Sequence, residues 1–197
     1  MVDLSIAFSG DKPLSDYIAL AKSVDEYGFN ALSIYDDLMF KPAWPILSVA
    51  ATHTQRIRIG PAISNPYLMH PAIIAGNLAL LDELSDGRAF LGIGRGAFLD
   101  FLQMDQPRPI TAVRESIEVI KRLLRGDRTP YHGQIFHATE SAFLRWSPPR
   151  ADVPIMVGTW GPKMCEMSGE LADEVKISPV WNVGYLSSLW KHLAIGA

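Results

Sequence analysis

The 197 residues carry a formal charge of −3 and are 48% apolar, enough for one sizeable packed core and without a basic field to favour nucleic acid or an anionic membrane. The longest apolar runs, such as Ala89–Ile93, are too short to span a bilayer, and Met1–Gly10 lacks the cationic start and long apolar stretch of a signal peptide. A single cysteine, Cys165, excludes an internal disulfide framework, so the expectation is a cytoplasmic globular protein with no membrane or nucleic-acid partner.

Taken in chain order, Leu4–Gly10 reads as a strand, and Leu14–Tyr27 as a helix whose apolar residues recur at Leu14, Ile18, Ala21 and Val24 before Gly28 stops it. Ala31–Tyr35 is a second strand, ending in Asp36 and Asp37. Pro45–His53 is predicted helical, Ile57–Ile63 a third strand, Pro71–Leu84 a helix and Ala89–Ile93 a fourth strand. A loop over Gly94–Pro109 leads to an amphipathic helix, Ile110–Leu124. Thr129–Trp146 breaks the alternation, its aromatic and β-branched residues around polar turns suggesting an inserted pair of short strands. Pro154–Thr159 is the fifth core strand, Lys163–Asp173 a helix, Val175–Ser178 the sixth strand and Tyr185–Ile195 the start of one more helix.

Short apolar strands alternating with helices predict a parallel sheet, and polar or glycine-rich material after each strand favours a (β/α)8 TIM-barrel type over an open sheet. Because a full barrel has eight units and about 250 residues, the expectation is a single domain over residues 1–197 that is C-terminally incomplete at about six units, with an inserted hairpin.

Four features bear on chemistry. Arg58–Ala72 (RIGPAISNPYLMHPA) begins as a buried strand, then gathers prolines, an Asn and a His that suit neither strand nor ordinary connection. Asp36 and Asp37 lie where a barrel places functional groups, and adjacent strand residues face opposite sides, so at most one points into the mouth while the other caps a turn. The cluster Gly92–Gly96 (GIGRG) fits a plain turn as well as a close approach, and it is not the dinucleotide fingerprint. Gly158, Thr159, Gly161, Pro162 and Lys163 join a strand end to a helix start, a candidate phosphate site whose bland alternative is a capped helix with a solvated lysine. Trp44, Trp160, Trp181 and Tyr67 are candidates for stacking on a planar ring or for packing. The five histidines show no metal-ligand spacing, so no metal is expected.

Together the strings IGPAISNPYLMHPA, LGIGRGAFLDFLQM, RESIEVIKRLLRG and VPIMVGTWGPKMCEMSGELADEVKIS resemble the luciferase-like flavin and deazaflavin oxidoreductases, in the coenzyme F420-dependent branch that includes methylenetetrahydromethanopterin reductase. The resemblance implies a bulge in the third strand, often with a non-prolyl cis peptide, that backs a tricyclic cofactor ring. Carried over, Gly60, Pro61, Ala62 and Ile63 support the ring, the cis bond joins Ala62 to Ile63 or lies one residue away, and Asn65 and Pro66 steer the loop along the cofactor. Gly94 and Gly96 allow close approach of the fourth loop, with Arg95 near an anionic group. The cofactor phosphate falls near Gly158, Thr159, Gly161, Pro162 and Lys163, and Asp36 and Asp37 stand at the mouth as catalytic candidates.

The implied activity is F420-dependent hydride transfer to or from a small organic substrate, by a homodimer. The alternatives are an FMN-dependent luciferase-like monooxygenase, and a non-catalytic flavin-binding protein or inactive fragment. One departure from the family pattern is Ala97 and Phe98 directly after the glycine cluster, where relatives often carry an acidic or polar residue.

Overall fold

A computed structural model describes residues 3–177 and 182–197. Six parallel strands follow one another in the order β1 (Ser5–Phe8), β2 (Ala31–Ile34), β3 (Arg58–Pro61), β4 (Leu91–Gly94), β7 (Ile155–Gly158) and β8 (Glu174–Lys176). Regular ladders join β1–β2–β3 and β4–β7–β8, and the two halves meet through single parallel bridges, Ile59 to Ala89 and Ser64 to Ile93. No pairing joins β8 back to β1 among the described residues, so the sheet is an arc rather than a closed barrel. Between β4 and β7, the antiparallel pair β5 (Tyr131–His132) and β6 (His137–Ala138) lies within the segment read as an insertion.

Helices α1 (Leu14–Glu26), α2 (Ala43–Ala51), α3 (Pro71–Leu84), α4 (Pro109–Leu124), α5 (Pro162–Leu171) and α6 (Val183–Gly196) connect or follow the strands. Helix α2 starts two residues before the expected Pro45, because proline in the first turn lacks only a donor that has no helical acceptor there. The last expected strand begins earlier, at Glu174, and its expected end at Ser178 lies outside the described residues.

Alternation along the strands divides the apolar residues into two layers. Leu32, Ile34, Ile57, Ile59, Leu91, Ile93, Ile155 and Val157 face the helices in one large core, while Ala31, Ala62, Phe90 and Met156 form a smaller cluster on the concave face with Tyr35 and Ile63. A period-two pattern sends alternate side chains to opposite faces of a sheet, so both layers follow from the strand sequences. The register places Glu174 beside Met156 and Lys176 beside Gly158, which turns both β8 charges inward. Glu174 pairs with Arg58 at 2.6 Å across the concave side, and Arg58 also lies over the Phe90 ring.

Polar clamps hold the connections. Arg88 donates to the carbonyls of Ala51, Thr54, Ile57 and Ser85, tying α2, β3 and α3 together. Glu115 of α4 holds the hairpin, its carboxylate accepting the N–H groups of Gln134, Ile135 and Phe136 at 2.6, 2.9 and 2.9 Å. Burial alone would push this carboxyl up, but the three donors outweigh it and hold it below the usual range. A carboxylate with a depressed folded value stabilises above its unfolded value, 4.5 for Glu, and loses that contribution as pH falls through the lower folded one. Replacing Glu115 with Ala leaves three donors without their acceptor, and we expect a loss of about 2–3 kcal/mol in urea unfolding at pH 7. The gap between Glu115→Ala and the parent should shrink as pH is lowered below 4.5; a pH-independent gap would contradict the ionised anchor.

Candidate active site at the mouth of the arc

The site is built around the end of β3. Ala62 donates to the Ile34 carbonyl at 2.8 Å, the Ala62–Ile63 peptide is cis, and Ser64 then rejoins β4, donating to Gly92 at 2.9 Å and accepting from Gly94 at 3.1 Å. The chain therefore leaves and re-enters the sheet within four residues, which is the bulge expected of Gly60–Ile63. Beyond it, Asn65 is buried, and its side-chain oxygen accepts the N–H groups of Tyr67 and Leu68, both at 3.0 Å, turning the chain towards α3. Tyr67 donates to the Pro107 carbonyl at 2.9 Å and links this loop to the one after β4.

Glycines make this geometry possible. A Cβ at Gly94 or Gly158 would collide with the Ile63 side chain, and one at Gly96, whose φ is +83°, would strike the Asn65 amide. The room left at Gly94 and Gly158 is thus taken by Ile63, and the surface offered at the mouth is Ile63 itself. Gly60 and Pro61 lie deeper: a Cβ at Gly60 would meet the Phe90 carbonyl, and the Pro61 carbonyl abuts Gly92. They brace the bulge from below.

Asp36 and Asp37 have different surroundings. Asp36 accepts from the Ser64 hydroxyl at 2.6 Å and from the Ala43 N–H at 3.4 Å, so it fastens the bulge to β2 and the start of α2. Asp37 makes no hydrogen bond through its carboxylate among the described residues. Burial pushes its carboxyl up, the like charge of Asp36 adds to this, and Lys176 opposes it. Asp36 is thus engaged by two donors, while the Asp37 carboxylate has no hydrogen-bond partner among the described residues.

Lys176 was not among the residues singled out from the sequence. Its ammonium sits 4.7 Å from the centroid of the Tyr35 ring, a cation–π geometry. Burial draws the lysine's pKa down, and Asp37 opposes that. The available signal was the alternation Glu174-Val175-Lys176, which puts charge on a face where the neighbouring strands carry apolar or glycine residues.

Beside Lys176, the Thr159 N–H donates to its carbonyl at 3.0 Å, and the Thr159 hydroxyl accepts the Gly161 N–H at 3.0 Å. Gly161 is the residue before α5, Pro162 opens the helix, and no side chain caps it. The Lys163 and Met164 N–H groups have no acceptor among the described residues, so two backbone donors, the Thr159 hydroxyl proton and the exposed Lys163 are available to an anion. Contacts thus bring together Asp36, the bulge, Asn65, Gly94, Gly96 and Gly158, while Thr159 joins them through Lys176. Among the stacking candidates, Trp44 is buried in the large core, Trp160 is 63% exposed, and Trp181 lies outside the described residues.

The glycine-seated bulge and the donor-rich helix start suit a planar ring and a phosphate on one ligand. Ile63 supplies an apolar face, and Thr159, Lys163 and Met164 supply donors of the kind a phosphate takes.

Comparison with known proteins places the chain in a family. Residues 4–188 match the model of the family described as luciferase-like monooxygenase. The chain is 34% identical over 177 residues to 5,10-methylenetetrahydromethanopterin reductase of Methanolobus tindarius, covering 88% of this chain and 53% of that protein. It is 30% identical over 173 residues to an F420-dependent glucose-6-phosphate dehydrogenase of Nakamurella multipartita, covering 81% of this chain and 50% of that one. The solved structure of the coenzyme F420-dependent tetrahydromethanopterin reductase from Methanopyrus kandleri superposes with a TM-score of 0.91 at 30% identity, over 99% of this chain and 60% of that chain. This chain spans about half the length of the curated relatives it matches. With the family model covering most of its residues and the fold shared, the chain belongs to the luciferase-like monooxygenase family.

Proposed function

We propose that this protein is an F420-dependent oxidoreductase that moves a hydride between the deazaflavin ring and a small organic substrate. The observation that carries the reading is the bulge at Ala62–Ser64, locked by Asp36 and seated on Gly94 and Gly158, next to the uncapped start of α5. The F420-dependent relatives support the choice of cofactor over FMN.

In this reading Ile63, with Ala62 behind it, backs one face of the ring, and Asn65 and Gly96 hold the adjacent loop in place. Thr159, the backbone of Lys163 and Met164, and the Lys163 side chain take the phosphate. When bound, the deazaflavin supplies a carbon that donates or accepts a hydride, and the chain's own part is orientation and electrostatics. Asp37 is the carboxyl group placed to handle an accompanying proton. Homodimerisation belongs to the same proposal, supported by the exposed stripe of Ile73, Leu80 and Leu84 on α3.

The two aspartates separate by experiment. Asp37→Asn should lower turnover about 100-fold with F420 affinity nearly unchanged, as loss of a proton-transfer group does. Asp36→Asn should act through the bulge and weaken F420 binding as well. Full turnover in Asp37→Asn would remove it from the chemistry.

A further inference from the structure

The proposed function leaves Lys176 without a task, although a lysine is an unusual residue on the inner face of a parallel strand. The register fixes its direction: Lys176 lies beside Gly158 on β8, on the face that carries Met156 and the concave cluster. Its ammonium rests over the Tyr35 ring, at the end of β2 on the far side of the arc. Asp37 follows Tyr35 by two residues, and its charge acts on Lys176. The other titratable groups near the pair are Asp36, engaged with Ser64, and, one layer deeper, Arg58 and Glu174, engaged with each other at 2.6 Å.

Lys176 and Asp37 act on one another's charge, yet they do not close to an ion pair within 4.0 Å, unlike Arg58 and Glu174. An opposed cation and carboxyl group left apart, at the strand C-terminal ends and beside the Ile63 surface, bracket a position for a polar atom of a ligand. Both groups are displaced towards their neutral forms, chiefly by burial, so the charge difference opposing a proton exchange between them is reduced.

We propose that Lys176 is the proton-transferring catalytic residue of this mouth, acting with Asp37 on a substrate whose reacting carbon bears oxygen or nitrogen, as in a carbonyl or an imine. The inference rests on the hydride-transfer reading above, and adds Lys176, which that reading does not use, as the group that passes the proton between Asp37 and the substrate. In the reducing direction, the carbonyl carbon gains a C–H bond with the electron pair of a hydride from a reduced deazaflavin. The π pair of the C=O bond moves onto oxygen, and the oxygen forms an O–H bond as an N–H bond of the Lys176 ammonium breaks. The carbonyl is reduced and the deazaflavin oxidised by two electrons. Neutral Lys176 then regains a proton from Asp37 or from water at the open side of the arc. Tyr35 positions the amine by holding it over its ring.

The test is a pH titration of protein labelled with ¹³C at the lysine ε-carbons, with the Lys176 signal assigned by its absence from Lys176→Arg. F420 binding is followed in parallel by fluorescence. Lys176 should titrate below the surface lysines, and lower again in Asp37→Asn, because removing the opposing charge disfavours the ammonium. Its signal should shift on saturation with F420, while Lys176→Met binds F420 within about twofold of the parent, since a residue that handles the substrate's proton adds little to cofactor affinity. Titration together with the surface lysines, or no response to either Asp37→Asn or F420, would overturn the assignment while the cofactor reading stands. Failure of the parent protein to bind F420 at all would overturn the cofactor reading itself, and the Lys176–Asp37 coupling would be seen independently in the titration.

Discussion

Asp82→Ala should lower the stability of this protein by about 3 kcal/mol, a drop of roughly 10 °C in melting temperature for a chain of this size. Asp82 is wholly buried on α3, and its carboxylate accepts from Arg150 Nε at 2.9 Å, from the Arg150 terminal nitrogen at 2.5 Å and from the Ala89 N–H at 3.2 Å. Arg150 also donates to the Ala89 carbonyl at 2.9 Å, so a single fork joins α3, the approach to β4 and the segment that returns from the hairpin. Breaking a buried pair by removing one partner costs more than the pair contributes, because the remaining charge loses its counterpart.

The two partners are not equivalent. The Arg150 side chain is 34% exposed and the Asp82 side chain 0%. Water can therefore relieve a widowed arginine better than a widowed aspartate. Arg150→Ala is expected to cost more than Asp82→Ala, and the double replacement less than the sum of the two, as a double-mutant cycle in urea would reveal. Strict additivity would show that the fork carries no coupling.

The second large effect is at Gly92→Ala. A Cβ there would overlap the Pro61 carbonyl oxygen and approach Met156 Cε to 3.1 Å. Flexible Met156 can move aside, but the Pro61 carbonyl belongs to the strand that leads into the bulge. Accommodating one methyl group requires β4 to part from β3 at the point where Ser64 re-enters the sheet. A loss of about 2–3 kcal/mol is expected from overpacking, with at least tenfold weaker F420 binding because the bulge shifts. Gly126→Ala is the control: its φ is +66° but a Cβ there meets nothing within 4 Å, so only the backbone conformation is penalised, at about 1 kcal/mol, and F420 binding is untouched. If Gly92→Ala bound F420 as tightly as the parent, the bulge would not be part of the cofactor site.

How much of this was legible in the chain depends on the range of the interactions. The βα order follows from local periodicity, and helix α3 spans Pro71–Leu84 as predicted, because Pro71 at its first position and the Ser85-Asp86-Gly87 turn punctuate it strongly. The position of the bulge was legible only through the family resemblance, since a Gly-Pro-rich strand end by itself fits many turns. The division of labour between Asp36 and Asp37 could be stated in outline, as one inward group and one capping group, but not assigned. Ser64, whose hydroxyl engages Asp36, lies 28 residues from it. The Asp82–Arg150 fork spans 68 residues and Glu115 reaches its hairpin partners over 19 to 21, so both depend on how the units pack, which single-residue patterns do not encode. Nothing local marks Lys176, since a lysine in the short run Val175–Ser178 fits a solvated position equally well. Its register beside Gly158 turns an apparent surface lysine into a group at the mouth.

The most direct test of the account is a fluorescence titration of the 197-residue chain with F420 and, separately, with FMN, against a blank without protein. Saturable binding of F420, tighter than any binding of FMN and weakened in Gly92→Ala, is the predicted result. Binding of FMN alone, or of neither, would contradict it.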